Sequence, residues 1–236
     1  MNGGYYDLHI HSCLSPCASD DMSPCNIAGM ASIKGLSLIS LTDHNSGRNL
    51  KAMDKAASEF GLVFIPGIEV TTVEEVHVLT YFKEIHAAVE FGEMLYNSLP
   101  DIANRPDIFG KQLIMDENDE PAGELDKLLL QATPYSLEEI VGLTRDAGGC
   151  TVPAHINRDS FSVFANLGFL PPGIFRTVEV SASLPCPPLD SSVYILNSSD
   201  AHNLEDISEP VHKLDFIHNP SEFIDFLSHF DNKLHF

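Results

Sequence analysis

The first seventy residues alternate between strand and helix, and that alternation restricts the chain to a sheet of parallel strands covered by helices. Tyr5 to Ile10 is a run of strand length. Ser23-Pro24 then supplies an N-cap and a first-turn proline, Ile27, Met30 and Ala31 recur at helical spacing, and Gly35 stops the helix. Leu36 to Leu41 reads as a strand, Asn49 to Phe60 as a helix closed by Gly61, and Leu62 to Val70 as a strand interrupted by Pro66-Gly67. A further strand over Val76 to Phe82 and a helix around Ala87 to Leu99 follow. From Pro100 to Pro134 the pattern weakens around a turn-like stretch, Asp116 to Pro121, which reads as an insertion (100–134) above the sheet within one domain of residues 1–236. Ser136 with Glu139 forms a capping box, Cys150 to Ala154, Thr177 to Val180 and Val193 to Asn197 are short strands, and Pro220 opens a last helix with Phe223, Phe226, Leu227 and Phe230 on one side.

A chain of 236 residues, 44% of them hydrophobic, fits one large domain or a domain with a sizeable insertion, since single α/β barrels run to this length. It has no apolar run of membrane-spanning length, and no basic segment followed by an apolar one precedes the first strand, so a cytoplasmic protein is expected. Five scattered cysteines form no disulfide framework, which suits a reducing compartment. The formal net charge of −21 sets 34 acidic residues against 13 basic ones. Such a balance disfavours a long nucleic acid, which needs a basic stripe, and permits a small phosphorylated substrate at a metal site.

The chemistry gathers at the strand ends. His9 and His11 are two residues apart at the end of the first strand, so both imidazoles project to one face. Asp200-Ala201-His202 repeats the spacing after a late strand. His44, Glu69 and His155 each fall at a C-terminal strand end, and in a β/α barrel those ends converge on one mouth. With His77, six of the eleven histidines can be gathered there. Unrelated core or capping histidines would have no reason to share that placement. His86, His212, His218, His229 and His235 lie in helical or surface contexts.

Asp7-Leu8-His9-Ile10-His11-Ser12, Thr42-Asp43-His44, Gly67-Ile68-Glu69, Pro153-Ala154-His155 and Ser199-Asp200-Ala201-His202 resemble, in order, the successive motifs of the PHP (polymerase and histidinol phosphatase) superfamily. The resemblance implies a distorted seven-stranded β/α barrel with up to three metals at its mouth. The ligands it implies are His9, His11, His44, Glu69, His77, His155, Asp200 and His202, with Asp7 and Asp43 orienting histidines. Family members supply one more ligand from the loop after the first histidine pair. Here Pro16 and Cys17 stand at that spacing, and the nearest carboxylates come later, with Asp20 the expected ligand and Asp21 the alternative.

Mixed imidazole and carboxylate ligands suit Zn²⁺, Mn²⁺ or Fe²⁺ better than Mg²⁺ or Ca²⁺. Two or three such ions can activate a bridging hydroxide and clamp phosphoryl oxygens, so hydrolysis of a small phosphoester is expected. Arg158, three residues past His155, carries a fork that suits a phosphate, or equally pairs with surface acids. The alternatives are a hydrolase of a non-phosphate bond and a metal-binding regulatory module without turnover.

Overall fold

The computed structural model describes residues 4–181, 184–215 and 217–231. Strands β1 (Gly4–Asp7), β2 (Leu38–Leu41) and β3 (Val63–Thr71) pair in parallel, as their helical connections require. The connections are α1 (Pro24–Ile33) and α2 (Leu50–Glu59). Ser23 caps α1 by accepting from the Asn26 amide, and Pro24 occupies the first turn, where its missing N–H costs nothing. Both helices bury one face, with Ile27, Ala31, Met53 and Ala57 packed in one core with Ile39, Leu41 and Ile68. Pro66-Gly67 does not interrupt β3. Pro66 stands opposite Leu41 in the parallel ladder, and the ladder to the next strand begins only at Gly67. A Cβ on Gly67 would press on the Ser40 hydroxyl at 2.7 Å, so glycine lets the strand pass.

After β3 the chain turns back. β4 (His77–Phe82) runs antiparallel to β3, and β7 (Gly149–Pro153) antiparallel to β4. Between them lie α3 (Ile85–Ser98), α4 (Pro106–Phe109), a hairpin of β5 (Leu113–Met115) and β6 (Pro121–Glu124), and α5 (Leu137–Asp146). The capping box of α5 is present, with Ser136 and Glu139 bonded reciprocally. The remaining elements are α6 (Val163–Leu167), β8 (Thr177–Glu179), β9 (Tyr194–Leu196), β10 (Lys213–Leu214) and α7 (Pro220–Asp231).

The expected seven-stranded barrel does not form as one ladder among the described residues. The sheet has six strands in the order β10-β1-β2-β3-β4-β7, curled into a half-barrel, and β8 and β9 pair separately with each other. β10, running antiparallel, pairs with the edge of β1 that β2 leaves free. Near the mouth a single parallel bridge, Ile10 to Ala201, joins the β1 side to the chain beyond β9. α7 packs Phe223, Ile224 and Leu227 against Leu8, Leu38, Leu79 and Tyr81, so the concave side is a filled core. The side chain of Phe230, expected on the same face, lies outside the described residues.

Residues 100–134 contribute nothing to the six-stranded sheet. Their hairpin leans on the loop after β1, where the Leu113 amide donates to the Cys13 carbonyl at 2.8 Å. Buried Gln112 ties the segment together by donating to the Leu125 and Lys127 carbonyls, both at 2.8 Å, and accepting from the Leu129 amide at 2.9 Å. Among the described residues no helix is long and apolar enough to cross a membrane.

The Tyr81 and Phe223 rings meet edge to face at 5.3 Å within the filled core. Phe223→Ala is therefore expected to cost about 3–5 kcal/mol in urea unfolding. Ile33→Ala, at a side chain 81% exposed, should stay within about 0.5 kcal/mol of the parent.

Candidate metal centre

The two ends of the chain are laced together at the mouth. The His11 amide donates to the Ala201 carbonyl at 3.0 Å, and the Ala201 amide donates to the His9 carbonyl at 3.3 Å. This sets the His9-Ile10-His11 and Asp200-Ala201-His202 triplets side by side. His44, past β2, bridges to Glu69 in β3. His77 arrives by a different route from the others. It opens β4, and because that strand is reversed its first residue stands opposite Thr71 at the mouth. His155 follows β7 with φ of +28°, and Asp200 has φ of +55°. Both backbones are strained for residues other than glycine, a pattern that concentrates at functional sites.

Glu69 is the centre of the assembly. Its buried carboxylate lies within 3.3 Å of imidazole nitrogens of five residues: His77 at 3.0 Å, His44 at 3.1 Å, His155 at 3.2 Å, and His9 and His11 at 3.3 Å. The Asp200 carboxylate is 3.0 Å from His11, 3.2 Å from His9 and 3.7 Å from His202. Ligand atoms fall into three overlapping groups: His9, His11, Glu69 and Asp200; His11, His44 and His202; and His44, Glu69 and His77.

The rings are aimed by buried hydrogen bonds. Glu179 accepts from His9 Nδ1 at 3.0 Å and also from the His155 amide at 3.0 Å. Ser15 accepts from His11 Nδ1 at 3.1 Å and from the His44 amide at 3.1 Å, and donates to Asp43 at 2.7 Å. Asp43 thus orients His11 through a serine. Asp7 acts on the backbone instead, accepting from the Ser199 amide at 3.0 Å and hydroxyl at 2.6 Å and from the Ser208 amide at 2.8 Å. It fixes the turn that carries Asp200.

These bonds assign the tautomers of the first pair. With Nδ1 of His9 and His11 donating outward, their Nε2 atoms face each other at 3.2 Å as two acceptors, beside two carboxylates. Two lone pairs beside two negative charges at that distance call for positive charge between them, a proton or a cation. Nδ1 of His155 is buried without a hydrogen-bond partner, and Nδ1 of His44 has the Glu69 carboxylate beside it at 3.1 Å. Imidazole nitrogens turned toward one another and toward carboxylates make nitrogen–oxygen donor groups that fit divalent ions of the Zn²⁺, Mn²⁺ or Fe²⁺ type.

The neighbouring charges also shift the titration of these groups. Burial opposes charge on His9, but Glu179, Asp200 and Glu69 outweigh it and hold its pKa well above the usual value. His11 behaves likewise, opposed by burial but carried up to about 9 by Asp200 and Glu69. Burial would raise the Glu69 pKa, yet the surrounding histidines, His77 and His9 foremost, hold it well below the carboxylate range. Burial first, and then the charge on His11, pushes His202 down to about 4.

Of the residues singled out in the sequence, the structure gathers His9, His11, His44, Glu69, His77, His155, Asp200 and His202. Asp20 it does not. That carboxylate is 54% exposed and paired with Lys111 at 3.0 Å, because the loop after β1 turns it outward to meet a lysine of the 100–134 segment. Asp21 is exposed as well, so neither carboxylate fills the loop position. Arg158 stands at the mouth, 38% exposed, with Nη1 2.5 Å from Asp200. His86 is exposed and paired with Glu90, and His212 lies against Tyr6. His235 and the side chain of His229 lie outside the described residues. The sequence reading missed Glu179, although it ends β8 and so stood at the kind of C-terminal strand end where site residues were sought.

No family model and no curated protein matches this chain. Solved structures do. The lesion-specific Endonuclease Q of Pyrococcus furiosus superposes with a TM-score of 0.62 at 22% identity, covering 91% of this chain and 51% of its own. A putative metal-dependent phosphoesterase from Bifidobacterium adolescentis gives 0.59 at 15% identity, covering 95% and 96%. An amidohydrolase from Chromobacterium violaceum gives 0.60 at 21% identity, covering 94% and 96%. The chain spans about half the length of Endonuclease Q. The chain therefore shares its fold with an endonuclease, a putative metal-dependent phosphoesterase and an amidohydrolase.

One expectation is overturned. A structure of Endonuclease Q holds a 27-mer duplex with an abasic lesion at its active site, and it superposes on this chain with a TM-score of 0.59 over 85% of its length. The fold thus serves a long nucleic acid in that protein, and an acidic net charge gives no ground for excluding one here.

Elemental analysis is expected to find more than one divalent metal per chain after reconstitution. Glu69→Ala should abolish that content, whereas His86→Ala and His218→Ala should keep it. Glu179→Gln removes the charge that aims His9 without removing a gathered ligand, and titration should show metal affinity about 10–100-fold weaker.

Proposed function

We propose that this chain is a metal-dependent phosphoester hydrolase. The observation that carries the reading is the Glu69 carboxylate among five histidines, opening onto a mouth where Arg158 is the exposed cation. The ions would be held by His9, His11, His44, Glu69, His77, His155, Asp200 and His202, a set with room for two or three. Bound divalent metals supply Lewis-acid polarisation of the phosphoryl oxygens and activation of water at neutral pH.

The protein's own residues do the rest. Glu179 and the Ser15–Asp43 pair hold His9 and His11 with their outer nitrogens committed, so that both Nε2 atoms stay turned inward. Arg158 lines an open pocket with Asn157, Asp159 and Phe164, and its guanidinium can exchange the Asp200 oxygen for those of a phosphate. The Ser15 hydroxyl beside His11 already donates to Asp43, so it is committed to holding the ring and not to attack.

A phosphomonoester or a short phosphodiester is the first substrate to test, with single-stranded and duplex DNA beside it and an amide as contrast. Turnover of a phosphoester that requires added Mn²⁺ or Zn²⁺ is the expected result. Turnover of the amide alone would replace this reading with amide hydrolysis, and none on any substrate, with metal bound, would leave a binding module. Arg158→Ala should raise KM for the phosphoester about tenfold or more while metal content stays constant, the pattern of lost substrate binding.

A further inference from the structure

We propose that Phe161 is a stacking platform for a planar aromatic group, a nucleobase first among them, carried by the phosphoester at the metal centre. This rests on the hydrolase reading and names the substrate class of the same site.

The loop 154–162, between β7 and α6, touches the centre on two sides. His155 reaches Glu69, and Arg158 reaches Asp200. Beyond them, the Phe161 ring lies nearly parallel on the ring of His77, centroids 4.7 Å apart and planes 21° apart. His77 in turn is 3.0 Å from Glu69. One face of the phenyl ring is thus fixed against a residue of the centre, and the residue as a whole is 43% exposed.

Neither burial nor turn geometry accounts for a phenyl group there. Phe161 has φ of +53°, a left-handed conformation that glycine adopts freely and a bulky residue adopts at a cost. A side chain left so open recovers little of that cost by burial. The surroundings nonetheless enforce the conformation. The His77 amide donates to the Phe161 carbonyl at 2.9 Å, and the Ser162 hydroxyl donates to the Arg158 carbonyl at 2.7 Å while accepting from the Ala165 amide at 3.1 Å. A ring held by backbone bonds and by stacking loses little freedom when a second ring lies on it, which is what makes rigid aromatic side chains good contact surfaces. Observed strain at the mouth of a site points to function. A guanidinium for phosphate and a flat apolar face in one short loop are the two features that a nucleotide presents a use for, since bases of any sequence offer a π-face.

The test is calorimetric titration of the full chain, reconstituted with Mn²⁺, using inorganic phosphate, adenosine monophosphate and a four-residue oligothymidylate. The mononucleotide or the oligonucleotide should bind more tightly than phosphate, and which of them does so tells whether the base is free or part of a strand. Phe161→Gly, which suits the backbone and removes the ring, should weaken nucleotide binding about tenfold and leave phosphate affinity and metal content unchanged. Phe161→Trp should restore it. The platform is overturned if neither nucleotide ligand outbinds phosphate, or if Phe161→Gly weakens all ligands equally. It is equally overturned if that variant loses metal while Phe161→Trp keeps it, because the ring would then only brace His77. Nucleotide binding that depends on Phe161 without any turnover would support the platform and overturn the hydrolase reading alone.

Discussion

A carboxylate sealed from water among imidazoles governs this structure, because removing an ion from water costs several kcal/mol unless opposite charge stands beside it. Glu69 is almost wholly buried, and nitrogens of five histidines surround it. Those histidines cannot satisfy one another. His9 and His11 turn their Nε2 atoms toward each other at 3.2 Å, and His155 keeps a buried nitrogen without a hydrogen-bond partner. The site is therefore built to accept positive charge. The polypeptide holds the arrangement open in advance, so ligation need not pay for ordering the side chains.

The holding is done with polar bonds rather than with packing. Asp7 and Asp43 each accept several hydrogen bonds from the loops that bear site residues, and Glu179 ties His9 to the backbone of His155. Apolar packing serves a different end of the molecule. Phe223, Ile224 and Leu227 of α7 fill the concave side with Leu8, Leu79 and Tyr81, and the Tyr81 hydroxyl reaches up to the Leu8 carbonyl at 2.9 Å, one residue before His9. A rigid floor and a hydrogen-bonded rim thus meet at β1.

Net charge proved a poor guide to partners, for a physical reason. It sums over the whole surface, whereas recognition of a phosphate is decided by the field at one mouth. Exposed charges farther away than about 10 Å are largely screened at ordinary ionic strength. Bound divalent ions and Arg158 would set the field at the centre whatever the acidic residues elsewhere contribute.

The sequence by itself determined which strands and helices form over the first hundred residues and placed His9, His11, His44, Glu69, His155, Asp200 and His202 at or just past strand ends, because strand spacing and strand ends are local properties. His9 and His11 share a face by the period of a strand, and Ser23 and Ser136 announce their helices by side-chain chemistry adjacent in the chain. Only the tertiary structure decided the rest. Whether β4 runs up or down is a matter of pairing, and its reversal is what delivers His77. β10, two residues long, takes an edge that no local pattern reserves for it and leaves the sheet a half-barrel. Asp20 and Glu179 exchange their expected standing for the same reason. A carboxylate's role depends on which partner lies across from it, Lys111 in one case and His9 in the other, and those partners lie 91 and 170 residues away in the chain.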